Sequence, residues 1–285
     1  MTATVGSLYD AYYQRHVKVK LKRPENIRYF WSAYRRQWGD YPVDSLNSAV
    51  VQEWFDTVAL KSKSSAVRAL AVLSSMINWG RRRGLVALTS NPCSAVEKVK
   101  LKSRRRFLRP DELEAFKKSL AREHQDWQDF FWLCLLTGAR RGNVQSMEWS
   151  EVDLALAVWT IPPEKHKNDE EHLVALTDPA LAICVRRRMR SSADAQYVFP
   201  SRSKTGHLVE VKRAWRRIVK RAGIQDLRPH DLRRTLGSYL AIGGESAYMI
   251  GQVLGHIDPR STAVYARLYL EPTRKAMAKA QAQLF

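Results

Sequence analysis

The residues whose types could bind an anion, move a proton or act as a nucleophile lie in the second half of the chain. Arg140 stands in the run Thr137-Gly138-Ala139-Arg140-Arg141-Gly142-Asn143, and His230 and Arg233 stand in Arg228-Pro229-His230-Asp231-Leu232-Arg233-Arg234-Thr235. His256 follows Leu254-Gly255, and Tyr265 comes nine residues later in Thr262-Ala263-Val264-Tyr265-Ala266-Arg267. A lysine, Lys167 or Lys165, falls on the polar stretch between Arg140 and His230. Arginine offers a planar fork of donors that matches phosphate oxygens, histidine moves protons near neutral pH, and a tyrosine hydroxyl can act as a nucleophile. Singly, each has a plainer reading. Arg140 reads as a surface arginine past a helix end. His230 and Arg233 are one turn apart on one helix face, a pair that basic chains offer often. His256 reads as a turn cap, and Tyr265 as one of 11 tyrosines. The order in which they occur is the informative feature.

The elements that must position them follow from apolar spacing. Residues 127–137 are apolar almost all round, which suits a buried helix ended by Gly138. Residues 157–161 and 172–176 favour strands and flank a polar stretch, which predicts a hairpin with a long exposed tip. Helices are predicted over 178–190, 208–222, 230–241, 245–254 and 259–268. A last helix is predicted from Pro272 through 285, with Met277, Ala280, Leu284 and Phe285 roughly on one side.

The first third reads as helices over 24–38, 47–59 and 64–79, with Asn47 or Ser48 as a cap and Gly80 as a stop. Arg28, Arg35, Arg36, Lys61, Lys63, Arg68 and Arg81 to Arg83 surround the apolar stripes, an arrangement that suits a clamp along a phosphate backbone. Residues 96–109 carry Lys98, Lys100, Lys102, Arg104, Arg105, Arg106 and Arg109 against Glu97 alone. Such a run cannot bury a core and is expected to stay extended, with its cations on DNA. Pro110-Asp111-Glu112 opens a new helix. The expected organisation is a helical domain over 1–95, a basic linker over 96–109, and a second domain over 110–285. The fold class is mainly α, with a small antiparallel sheet in the second domain.

Lys and Arg number 48 against 28 Asp and Glu, a formal net charge of +20 over 285 residues. A charge this large favours a polyanionic partner, with nucleic acid first. Three well-separated cysteines, Cys93, Cys134 and Cys184, form no CxxC pair and argue against a zinc finger. The N-terminal residues lack a signal-peptide pattern, and no apolar stretch is long enough to span a bilayer, so the expected location is cytoplasmic.

Taken in order, the motifs resemble the tyrosine recombinase (phage integrase) family over about residues 107–270, including the flanking segments 143–154 and 161–168. The first third resembles the family's core-binding helical domain with less specificity. The resemblance implies that Tyr265 attacks a phosphodiester, making a 3′-phosphotyrosine and freeing a 5′-hydroxyl. Arg140 and Arg233 would grip the non-bridging oxygens, His256 would donate to the phosphate, and His230 would assist proton transfer from the tyrosine. Lys167, with Lys165 as its rival, would protonate the 5′ oxygen. The ester bond would store the energy of the broken link, and four such steps would exchange two duplexes through a Holliday junction.

The implied partners are double-stranded DNA with specific recombination sites, a homotetramer on DNA, and optional DNA-bending or directionality factors. No metal and no cofactor is expected, and no G-x-x-x-x-G-K-[ST] loop is present. The last helix would dock on a neighbouring protomer. Asn143 stands where family members often carry an acid, which puts a supporting hydrogen bond in question but leaves the catalytic set whole. Tyr269 is the wrong distance from His256 and reads as packing, while His166 and His172 read as hairpin structure or DNA contacts. The helical domain starts within ten residues of Met1, which suggests a compact recombinase without an arm-binding domain. The alternatives are a catalytically silent DNA-binding regulator of the same fold and a type IB topoisomerase.

Overall fold

A computed structural model of the chain describes residues 3–21, 24–165 and 170–282. The chain divides into two compact units, Met1–Lys102 and Ser103–Phe285. Residues 103–109, expected as linker, therefore belong to the second unit.

In the first unit, helix α1 (Val5–Tyr12) starts at Thr4, whose hydroxyl and that of Ser7 satisfy each other's backbone N–H. The expected helix over 24–38 is two pieces, α2 (Glu25–Trp31) and α3 (Arg35–Trp38). Between them the Ser32 hydroxyl donates to the Tyr29 carbonyl, and Tyr34 leaves helical geometry with φ −127° and ψ −4°. The break lets Tyr34 sit among Trp31, Trp38 and Trp54; its ring centroid lies 5.1 Å from Trp31 and 5.6 Å from Trp54. Such edge-on aromatic contacts add to area burial. Helix α4 (Ser48–Lys61) is capped by the Asn47 side chain, which accepts from Val50 N–H. Helix α5 (Lys63–Arg81) runs through Gly80, so that glycine does not end it. A Cβ at Gly80 would fall 2.7 Å from Leu8 Cδ1, so the glycine lets Leu8 approach the helix closely, and Gly84, at φ +63°, marks the turn that follows.

The second unit opens with α6 (Pro110–Leu120), where Glu112 accepts from Arg109 N–H as a first-turn acid should. Helix α7 (Gln125–Thr137) is buried along Phe130, Phe131, Leu133, Cys134 and Leu135, and the short α8 (Arg141–Gln145) follows. The hairpin gains a short third strand, giving antiparallel order β1 (Val152–Asp153), β2 (Val158–Ile161), β3 (His172–Ala175). The β2–β3 register pairs Trp159 with Val174 and Ile161 with His172. Trp159, Ile161 and Val174 turn inward to the core while Leu173 stays exposed, the alternation of a one-sided sheet.

Helices α9 (Asp178–Arg190), α10 (Lys212–Arg221), α11 (Asp231–Ile242) and α12 (Ala247–Leu254) fall close to their expected positions. Residues 259–268 are not one α-helix. They form two 3₁₀ segments, Pro259–Ser261 and Ala263–Leu268, before α13 (Leu270–Gln281). The mainly helical fold with a small antiparallel sheet agrees with the sequence reading. Cys93, Cys134 and Cys184 are buried and unbridged. No helix among the described residues is long and apolar enough to cross a membrane.

Candidate active site

Helix α11 is the spine of the site. His230 caps it and Arg233 sits in its first turn. Arg233 is 5% exposed and donates from Nη1 to the Gly138 carbonyl at 2.7 Å. Gly138 ends α7 at φ +61°, and a Cβ there would lie 2.8 Å from Leu236 Cδ2 and from Leu254 Cδ2. Only a residue without a side chain meets both conditions, so the turn that delivers Arg140 depends on glycine. Arg140, two residues on, reaches toward the Gly255 carbonyl, with Nη2 at 3.5 Å. Gly255 ends α12, also at φ +61°, and packs on the His172 ring. Two helix ends thus carry the carbonyls that hold the two arginines.

His256 follows Gly255, and its Nδ1 lies 3.0 Å from the hydroxyl of buried Thr262. Tyr265 is 5% exposed in the 3₁₀ segment Ala263–Leu268. Its ring lies directly on α11: a Cβ at Gly237 would be 2.6 Å from Tyr265 Cζ and 2.8 Å from its hydroxyl oxygen. Gly237, one turn beyond Arg233, is a site residue that motif reading missed. Glycine within a helix normally costs stability, and here that cost makes room for the phenol.

His230, Arg233, His256 and Tyr265 line one cleft of about 380 Å³, together with Arg104, Arg234 and Arg260. Its electrostatics are strongly positive. Burial lowers the Arg140 pKa and pushes that of Arg233 down to about 10, with the charge of Arg140 adding to the effect at Arg233. The His256 pKa falls to about 4 through burial and then through Arg233, Arg140, His230 and His172. The His230 pKa also falls to about 4, through loss of solvation and then through Arg234 and Arg233, although much of its surface is open. The phenol of Tyr265 is raised by burial, and Arg233 and Arg234 partly offset the rise.

Five of the six expected catalytic side chains therefore converge. The sixth, Lys167, lies outside the described residues, as does His166. Lys165 is committed elsewhere: its ammonium donates to the Ser146 carbonyl at 2.8 Å, to Glu148 at 2.7 Å and to Glu151. Asn143 is buried, with no hydrogen-bond partner for its Nδ2 among the described residues. The Tyr269 hydroxyl donates to the Glu245 carbonyl, the packing role expected of it.

The expected DNA-contact run separates into two groups. Lys98, Lys100, Lys102 and Arg105 are exposed. Arg104 and Arg106 are not free cations, because Arg104 binds Asp226 and Asp231, and Arg106 binds Glu112. The run was expected to stay extended because charge counting within it sees neither Glu112, six residues beyond Arg106, nor Asp226 and Asp231, more than a hundred residues beyond Arg104.

A helical domain with a three-stranded sheet that gathers two arginines, two histidines and a tyrosine around one helix defines an integrase-type catalytic domain. The chain belongs to the phage integrase family, whose family model matches residues 106–271. It is 31% identical over 144 residues to the integrase of Salmonella phage P22, covering 47% of this chain and 37% of that protein. It is 27% identical over 247 residues to the prophage integrase IntA of Escherichia coli strain K12, covering 84% of this chain and 59% of the relative. The chain thus spans 37% and 59% of the length of these two curated relatives.

Among solved structures, the Tn1549 transposon integrase in complex with a circular intermediate DNA aligns with a TM-score of 0.76 at 15% identity, over 97% of this chain and 99% of that one. A lambda integrase dimer bound to a COC′ core site aligns with a TM-score of 0.73 at 18% identity, over 92% and 95%. These two likenesses are of fold.

Proposed function

We propose that this protein is a site-specific recombinase that breaks and rejoins double-stranded DNA through a covalent bond to Tyr265. The observation that carries this reading is a charge imbalance. Arg140 and Arg233 have no carboxylate partner among the described residues; Arg233 lines a cationic cleft with a buried tyrosine, and Arg140 lies close enough that its charge lowers the pKa of Arg233 and His256. Two uncompensated guanidiniums are costly in a partly buried site, and an incoming phosphate removes that cost.

With a phosphodiester in the cleft, the guanidinium forks neutralise the charge that grows on the non-bridging oxygens. His256 donates to the same phosphate; its contact with Thr262 orients the ring. His230 takes the phenolic proton as Tyr265 attacks, which its low pKa allows because the ring is neutral in the free protein. The sugar oxygen leaves with a proton from Lys167, since Lys165 is held by two carboxylates. The 3′-phosphotyrosyl ester keeps the energy of the broken bond for religation. The exposed helix α13, with Met277 open to solvent, is the element available to pack on a second protomer in a tetramer on DNA.

The test is capture of a nicked duplex that loses a short fragment on cleavage and so cannot be resealed. The wild-type protein in EDTA should become covalently joined to the longer strand at its 3′ end. Failure to form any adduct on a bound, authentic site would overturn the reading, and supercoil relaxation without a paired product would assign the chain to the topoisomerase class.

A further inference from the structure

Arg104 lies outside the motif set, yet it is tied directly to the helix that carries His230 and Arg233. Its Nε lies 3.1 Å from both Asp231 oxygens and its Nη2 2.8 Å from Oδ2. Its Nη1 lies 3.0 and 2.9 Å from the two Asp226 oxygens, and Nη2 also donates to the Asp226 carbonyl. A guanidinium has five N–H groups, and these contacts engage all three of its nitrogens. Although Arg104 lines the cleft, little of it remains to hold a phosphate.

Its main acceptor, Asp231, is fully buried and stands between His230 and Arg233. The same carboxylate accepts from Arg228 N–H at 2.8 Å and from Arg234 Nη1 at 2.6 Å. Removing one donor from such a carboxylate leaves a buried charge short of partners, so the first turn of the helix must shift. Neighbouring residues in the same stretch are tied as well. Leu108 N–H donates to Thr235 Oγ1 at 3.0 Å, one turn below Asp231. The Arg105 carbonyl accepts at 2.8 Å from Arg267, two residues beyond Tyr265. The stretch 104–108 therefore touches both the helix of the arginine and the segment of the tyrosine.

We propose that Arg104 is a positioning residue for the cleavage centre: by clamping Asp231 it sets the first turn of α11, and the stretch it begins holds the Tyr265 segment in register with that turn. This rests on Tyr265 being the nucleophile. Mispositioning of reacting groups by about 1 Å costs on the order of 100-fold in rate.

The experiment measures DNA affinity and the single-turnover rate of covalent capture for wild type, R104Q, R104K, D231N and R104Q/D231N, with Y265F on the same gel. R104Q should retain affinity and lose roughly 10- to 100-fold in capture rate. R104K should recover part of that loss, since an ammonium cannot bind both acids in the fork geometry. The double variant should be no slower than the slower single, because both lesions break one contact. Full-rate R104Q, or additive losses accompanied by weaker binding and a shallower salt dependence, would overturn the proposal and make Arg104 a bystander or a phosphate contact. Absence of a wild-type adduct would instead be a failure of the nucleophile assignment, so the two failures are separable.

Discussion

The two units bury different kinds of residue. Among described residues, the first hides an aromatic and aliphatic core, and Asn91 is its one buried polar side chain. The second buries Glu123, Asp129, Asp231 and Arg233. Each of its three buried carboxylates is matched by two arginines: Glu123 by Arg217 and Arg221, Asp129 by Arg186 and Arg187, Asp231 by Arg104 and Arg234. Among the described residues Arg233 is matched only by a backbone carbonyl. Three buried charges are thus settled by ion pairs within the fold, and the buried Arg233 is not. The first unit is built for shape, and the second carries an unmet electrostatic demand at one place.

Four outcomes would sharpen or break that contrast. The largest concerns Arg233. Arg233→Ala should lower covalent capture by on the order of 1,000-fold, as loss of a preorganised charge-stabilising donor does. The free Arg233→Met protein should melt no lower than wild type, because a desolvated, unpaired charge is removed. Asp129→Asn, by contrast, should melt below wild type, because Arg186 loses its carboxylate and Arg187 keeps only Asp126. Equal destabilisation in urea or thermal melts would erase the distinction.

Next comes Gly237→Ala. The added Cβ should displace the Tyr265 phenol and slow capture by roughly 100-fold, while the helix itself gains up to about 1 kcal/mol in propensity.

The third outcome is pH dependence. His256 and His230 have folded pKa values of about 4 against 6.5 unperturbed. The unfolded chain therefore takes up their protons first. Their contribution to stability is complete above pH 6.5 and is lost as pH falls toward 4. The upper bound is about 3.5 kcal/mol for His256, whose pKa falls from 6.5 to about 4 at ~1.4 kcal/mol per pH unit. The His230 share is smaller because water screens its open ring. Chemical denaturation across that window should show the slope, and inorganic phosphate should flatten it.

The smallest effect lies in the basic stretch. Replacing Lys98, Lys100, Lys102 or Arg105 singly should lower the salt dependence of DNA binding by about 0.9 in log–log slope for each phosphate left without its cation. Arg104→Gln and Arg106→Gln should leave that slope unchanged.

Motif order carried most of the site. Arg140, His230, Arg233, His256 and Tyr265 are far apart in the chain but meet because Gly138 and Gly255 end two helices in left-handed turns, and both glycines were visible beside their motifs. The buried α7 and the β2–β3 hairpin were equally legible from apolar patterning. What local patterning could not carry was pairing at long range. Nothing around Asp231 in the sequence points to Arg104, 127 residues earlier. Gly237 gives no local sign that a tyrosine ring rests against it. The break at Ser32–Tyr34 and the 3₁₀ turns around Tyr265 likewise follow from where aromatic rings must pack, while apolar periodicity alone predicts continuous helix.

The central claim is that the Tyr265 oxygen is the atom that joins DNA. Protease digestion of the trapped protein–DNA adduct, followed by mass spectrometry of the DNA-linked peptide, tests it most directly. The account predicts a phosphodiester on Tyr265 and no adduct from Tyr265→Phe. A DNA-linked peptide carrying Tyr269 or any other residue, or capture undiminished in Tyr265→Phe, would contradict it.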